Sequence, residues 1–117
     1  MCLFCDILEG KVPSKKVYED SYVYAFRDLY PQAKKHILII PKKHIESLAT
    51  ISEEDISKYV PKLFLAAKDI AKEEKILESG FRTVFNCNKH GAQTVYHMHL
   101  HLVGGEQLGS NMSGLRA

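Results

Sequence analysis

The sequence predicts an α+β fold: a mostly antiparallel sheet of five strands with one long helix and one short one. Three observations predict it. Five short runs rich in apolar and β-branched residues are separated by turn residues. One stretch after Ser52 has helical periodicity. The length of 117 residues suits a single core and leaves no room for two.

The elements follow in order. Residues 4–8 form an apolar piece closed by Gly10, which suits one or two helical turns with a glycine at the C-terminal end. Pro13 marks a loop. Residues 16–19 and 22–27 carry Val17, Tyr18, Val23, Tyr24 and Phe26, with Asp20-Ser21 between them, and read as a hairpin. Residues 28–31 form a turn, and 36–40 a buried strand stopped by Pro41. Ser52 with Asp55 opens the long helix as a capping box. Ile56, Val60, Leu63, Ala67 and Ile70 then recur at steps of four and three, which places them on one face. Pro61 interrupts this pattern and should kink the helix or mark its first turn. Lys72 and Lys75 suit a helix C-terminus, and Gly80 stops the segment. Residues 81–86 and 96–103 read as the last two strands, joined by the Asn- and Gly-rich loop 86–94. Gly104-Gly105 closes the last strand. The chain then reads as one domain, residues 1–117, with its core over about 4–105 and a sparsely anchored tail at 106–117. One sheet face packs on the long helix; the other needs a cover, for which a second copy of the chain is one candidate.

Bulk properties exclude several classes. A composition 45% hydrophobic and 26% charged argues against disorder. A formal charge of +2 with scattered lysines gives no basis for nucleic-acid binding. The longest apolar run, Ile37 to Ile40, is far short of the roughly 20 residues that span a bilayer, so no membrane partner is expected. The first residues do not read as a signal peptide, and an odd count of three cysteines argues against a disulfide scaffold, so the expected compartment is the cytoplasm.

The segment His97-Met98-His99-Leu100-His101-Leu102 carries the chemistry. In a strand, His97, His99 and His101 share one face, while Met98, Leu100 and Leu102 share the other. The apolar set belongs in the core. Three adjacent imidazoles add little to packing and point to a reaction or binding site. Three chemistries fit: a metal site, nucleophilic catalysis by one imidazole oriented by its neighbours, or anion binding. Cys2-x-x-Cys5 is similarly open on its own residues. It fits a redox pair, two unrelated thiols, or half of a zinc site, although the βαβ setting of a redox pair is missing. Cys87 reads as a lone packed thiol.

Three blocks carry a resemblance. Gly91 to Gly105, with the His-x-His-x-His core, resembles the histidine triad family of nucleotide hydrolases and transferases, in particular its Hint branch. So do Phe26-Arg27-Asp28-Leu29-Tyr30-Pro31-Gln32-Ala33 and the segment from His36 to Ile45. The likeness runs from about Phe4 to Gly105. It implies a homodimer whose two sheets join into ten strands, and hydrolysis of purine nucleoside phosphoramidates such as AMP linked through nitrogen to an amine or a lysine. His99 is similar to the family's nucleophile, which forms a nucleotidyl-histidine intermediate that water cleaves, with no metal required for catalysis. The same resemblance makes His101 a donor to a phosphate oxygen, His36 a supporting histidine and Thr94 the hydroxyl near the leaving group. It puts Asp28 on the ribose hydroxyls, Leu29 beside the base, Asn86 on ribose and phosphate, and Ala92 and Gln93 among the substrate contacts. It also implies a structural zinc held by Cys2, Cys5, His44 and His97, which would remove His97 from the proton chemistry.

Some residues depart from that pattern. Ala92 stands where a glycine is usual, Asn88-Lys89-His90 makes the loop more basic, and the tail lacks a tryptophan-proline ending. Rival functions are a dinucleoside polyphosphate hydrolase, a nucleotide-binding regulatory or scaffold module with little turnover, and a metal-dependent hydrolase. Gly104-Gly105, where the first rival carries a proline-arginine pair, argues against it.

Overall fold

A computed structural model describes residues 2–110. The expectation about the end of the tail, residues 111–117, lies outside them. The elements run α1 (Leu3–Leu8), β1 (Lys16–Glu19), β2 (Val23–Arg27), β3 (Lys35–Pro41), α2 (Glu53–Glu73), β4 (Phe81–Phe85) and β5 (Leu100–Gly104). The five strands form one sheet in the order β1-β2-β3-β5-β4, with every neighbouring pair antiparallel.

The expected hairpin forms because Asp20 turns the chain. Its Oδ1 accepts from the backbone N–H groups of Tyr22 and Val23 at 2.7 and 2.9 Å. Alternation then sorts β2, β3 and β5 into two faces. Val23, Ala25, Ile37, Ile39, Leu100 and Leu102 pack under Leu63, Ala66, Ala67 and Ile70 of α2. Phe26, Leu38 and Ile40 face the other way and meet Phe4 and Ile7 of α1. The second face is therefore covered from within the chain by α1, and needs no second copy for that purpose.

Helix α2 starts as expected, with Ser52 Oγ accepting the Asp55 N–H at 3.1 Å. The Asp55 carboxylate pairs with Lys43 at 2.8 Å. The buried face is turned slightly from the expected one. Tyr59 is buried, Val60 is half-buried, and Ile56 is 40% exposed, because the line through Tyr59, Leu63, Ala66 and Ile70 is the one that meets the sheet. Pro61 lies inside one continuous 21-residue helix, on its exposed side. The helix ends at Glu73, not near Gly80. Lys75 takes a left-handed φ of 63°, and Ile76 N–H bonds to Ala71 O at 2.9 Å, closing a Schellman-type end without a glycine.

The last strand is shorter than expected. It begins at Leu100, whereas the sequence suggested residue 96. The β3 ladder stops at Ile39 opposite Leu100, and the next register position on β3 that could bond onward is Pro41, which has no N–H. Met98 N–H instead bonds to Ile45 O at 2.6 Å. Residues 95–99 thus cross the end of the sheet held by side chains and loop contacts.

Candidate active site and metal cluster

The alternation through the histidine segment survives the loss of the ladder. Leu100 and Leu102 enter the core under α2, while His97, His99 and His101 lie on the α1 side and are 0–2% exposed. Neighbouring rings lie close without stacking: His99 and His101 have centroids 5.1 Å apart at 58°, and the Phe4 ring meets His99 edge-on at 5.1 Å.

The hydrogen bonds assign the tautomers. His99 Nδ1 lies 2.7 Å from the His97 carbonyl, which can only accept, so Nδ1 carries the proton and Nε2 the lone pair. A second chain starts at a backbone amide. Gln32 N–H donates to His36 Nδ1 at 3.0 Å, which puts the His36 proton on Nε2. That Nε2–H donates to His101 Nδ1 at 2.9 Å. His101 must then carry its own proton on Nε2, a buried donor with no hydrogen-bond partner among the described residues. The arrangement thus presents a lone pair on His99 and an N–H on His101 side by side. Burial, helped by the neighbouring imidazoles, holds His101 down to about 3, and burial also lowers His36 against the opposing pull of Asp28. His101 is a neutral donor at pH 7.

The structure gathers most of the residues singled out from the sequence. Asp28 Oδ2 sits 3.5 Å from His36 Nε2, and its Oδ1 accepts the Tyr30 N–H at 2.9 Å. Asp28 and Leu29 line a cavity of about 590 Å³ between α1 and the turn after β2, together with Phe4, Phe26, Leu38 and Thr94. Such a volume with a mainly apolar lining suits a planar organic group. Thr94 is exposed at the rim. Asn86 follows Phe85, whose register partner is Leu100, and so lies at the His99 end of the sheet. Gln93 behaves differently from expectation: its side chain is committed to backbone. Nε2 donates to Glu46 O and Val95 O at 2.8 and 3.1 Å, and Oε1 accepts Asn88 N–H at 2.9 Å, so it clamps the 86–94 loop. Ala92 is exposed and holds a left-handed φ of 62° in that loop. Sequence reasoning missed the Phe4 ring and the Gln32 amide. The first was signalled by an aromatic residue inside Cys2-x-x-Cys5, and the second, a backbone group, has no side-chain signature.

Cys2, Cys5, His44 and His97 converge, with all ligand atoms within 4.8 Å of one another. Cys2 Sγ and His44 Nδ1 each lie 3.3 Å from His97 Nδ1, and Cys5 Sγ lies 3.3 Å from His44 Nδ1 and 3.5 Å from His97 Nδ1. A tetrahedral zinc with ordinary bond lengths has N···N and N···S edges of about 3.3–3.6 Å, so the donor set fits one. His97 Nε2–H donates to Pro41 O at 2.8 Å, which turns the Nδ1 lone pair toward the sulfurs. Burial, with Cys2 beside it, pushes the Cys5 thiol up to about 11. Both sulfurs would ionise only with a cation between them, which a divalent metal bound by the four ligands would supply. Cys87 is half-buried and outside this cluster.

Taken together, the fold and site define a class: an α+β protein that sets an imidazole lone pair and an imidazole N–H side by side next to an apolar pocket. The comparisons narrow it. Residues 1–114 match the family model described as scavenger mRNA decapping enzyme C-term binding. The chain is 46% identical over 107 residues to the purine nucleoside phosphoramidase of Escherichia coli (strain K12), covering 92% of this chain and 89% of the relative. It is 46% identical over 108 residues to a 14 kDa zinc-binding protein of Zea mays, covering 91% and 83%. A solved HIT family hydrolase from Legionella pneumophila Philadelphia 1 superimposes with a TM-score of 0.90 at 45% identity, over 94% of this chain and 97% of that one. The chain belongs to the histidine triad family, in its Hint branch.

Proposed function

We propose that this chain hydrolyses purine nucleoside phosphoramidates through a covalent intermediate on His99. The observation that carries the reading is the pair of tautomers set by the His97 carbonyl and by the Gln32–His36 chain. The His99 Nε2 lone pair attacks phosphorus, and the phosphorus–nitrogen bond breaks as the leaving amine, beside the exposed Thr94, takes up a proton from water. The His101 Nε2–H donates to a non-bridging oxygen as charge gathers there. Water then attacks the phosphorus–Nε2 bond, releasing the nucleoside monophosphate and restoring the imidazole. Asp28 holds the ribose, Leu29 and the apolar cavity hold the purine, and Asn86 supports ribose and phosphate. Ala92 and Gln93 shape the loop beside them. The 46% identity to a purine nucleoside phosphoramidase supports this substrate class.

Zinc is the metal that the four-ligand cluster suits best, and a zinc-binding relative supports it. It would hold α1, the loop after β3 and residue 97 together, and the reaction takes no step through it. The active form is a homodimer in our reading: β4 is a sheet edge, and Phe81 on it and Phe64, whose ring meets Phe85, are 36% and 44% exposed. The whole chain acts as one cytoplasmic domain without nucleic-acid or membrane partners.

The test is turnover of a fluorogenic adenosine phosphoramidate by wild type and His99→Ala, with and without a strong chelator during assay. The reading expects turnover in wild type and none in the variant. Silence from a folded, zinc-replete wild type would overturn it and favour a binding module.

A further inference from the structure

His97 serves two structures at once. Its ring belongs to the Cys2–Cys5–His44 cluster, with Nδ1 3.3 Å from Cys2 Sγ and from His44 Nδ1. Its carbonyl accepts the His99 Nδ1–H at 2.7 Å, the bond that leaves the lone pair on Nε2. One residue therefore separates the metal ligands from the nucleophile.

The backbone at this point lacks the usual restraint. β5 begins at Leu100, so no strand ladder fixes the direction of the His97 carbonyl. The peptide that carries it is held instead by its own N–H, which bonds from Met98 to Ile45 O at 2.6 Å one residue beyond His44, and by the His97 ring, gripped by the cluster on one side and by Pro41 O on the other. A second contact runs the same way. Cys2 and Cys5 flank Phe4, whose ring edge lies 5.1 Å from the His99 ring.

We propose that Cys2, Cys5 and His44 are positioning residues for the nucleophile: by holding a divalent metal against the His97 ring they aim the His97 carbonyl at His99 and fix its tautomer. The proposal rests on the reading of His99 as nucleophile. A cluster that merely stapled α1 to the sheet would leave the His99 tautomer alone once the fold was intact.

His44 gives the cleanest perturbation, because it is exposed on the loop after β3 and its removal takes a ligand but no core packing. Full-length zinc-loaded wild type is compared with His44→Ala and His44→Cys, the last keeping four ligand atoms. Cobalt(II) absorption reports metal binding, and circular dichroism reports the fold. The hydrogen-bonded His99 Nδ1–H proton and the imidazole ¹⁵N shifts report the tautomer. Adenosine phosphoramidate turnover supplies kcat and KM separately. Loss of the metal in folded His44→Ala should abolish the Nδ1–H signal and lower kcat by roughly 10–100-fold, with a smaller change in KM. His44→Cys should restore metal, signal and kcat together. Persistence of signal and kcat in metal-free, folded His44→Ala overturns the proposal. So does a wild type that binds neither zinc nor cobalt, or a signal lost only when the whole chain unfolds. A metal-dependent signal in a wild type that shows no turnover upholds the positioning role and overturns the phosphoramidase reading instead.

Discussion

Replacing His36 with phenylalanine tests the tautomer chain most directly. His36 is 3% exposed and His101 fully buried, and their 2.9 Å hydrogen bond is what keeps the His101 proton on Nε2. The phenylalanine fills similar space but leaves His101 Nδ1 a buried acceptor without its donor, which costs about 1–3 kcal/mol. With that donor gone nothing holds the His101 proton on Nε2, and the ring can carry it on Nδ1 instead. That takes the donor away from the phosphate oxygen, so a comparable loss appears in the transition state. A loss of 1–3 kcal/mol is about 5- to 150-fold in kcat. KM should change little, since the apolar cavity is untouched. His36→Asn, which keeps an N–H donor, should retain more activity than His36→Phe. Steady-state kinetics on an adenosine phosphoramidate, alongside urea unfolding, reads both effects. A folded His36→Phe protein with wild-type kcat would refute the chain.

Three further outcomes follow from the same geometry. Burial keeps His36 and His101 neutral in the fold, with His101 at about 3, whereas both titrate near 6.5 when unfolded. The unfolded chain then binds more protons below about pH 6.5, so stability is complete above that value and is lost on acidification, for His101 by up to about 1.4 kcal/mol per pH unit down to about pH 3, with His36 adding in the same direction; a urea midpoint unchanged between pH 7.5 and 5 would contradict this. Ala92→Gly should stabilise by roughly 0.5–1 kcal/mol, because φ of 62° strains an alanine, and a midpoint shift in urea measures it. Gly91→Ala should destabilise by about 1–3 kcal/mol, since its Cβ would stand 2.5 Å from the Cys87 carbonyl oxygen, and an unchanged melting temperature would count against the loop geometry.

Period-two and helical patterns are local, and they placed all seven elements to within a few residues at most boundaries. The alternation His97-Met98-His99-Leu100-His101 announced a polar face, and a resemblance carried by three blocks attached roles to Asp28, His36, Asn86 and Thr94. The same resemblance named Cys2, Cys5, His44 and His97 as a ligand set, and the fold brings them together although they lie up to 95 positions apart. Boundaries failed where non-local contacts or unusual backbone decided. Pro41 and the Ile45 carbonyl cut β5 short at Leu100, and a left-handed Lys75 ended α2 without the expected glycine.

What the sequence determined by itself is which residues share a face and which chemical groups are available, because side-chain direction follows from backbone periodicity. What only the tertiary structure decided is which atom of His36, His97 and His101 carries the proton. That choice belongs to backbone groups near and far: the Gln32 amide on His36, four positions away, which acts through His36 on His101, and the Pro41 carbonyl on His97, 56 positions away. Every residue but proline has such an amide and every residue has a carbonyl, so the sequence cannot mark which of them will matter until the chain has folded them against the rings.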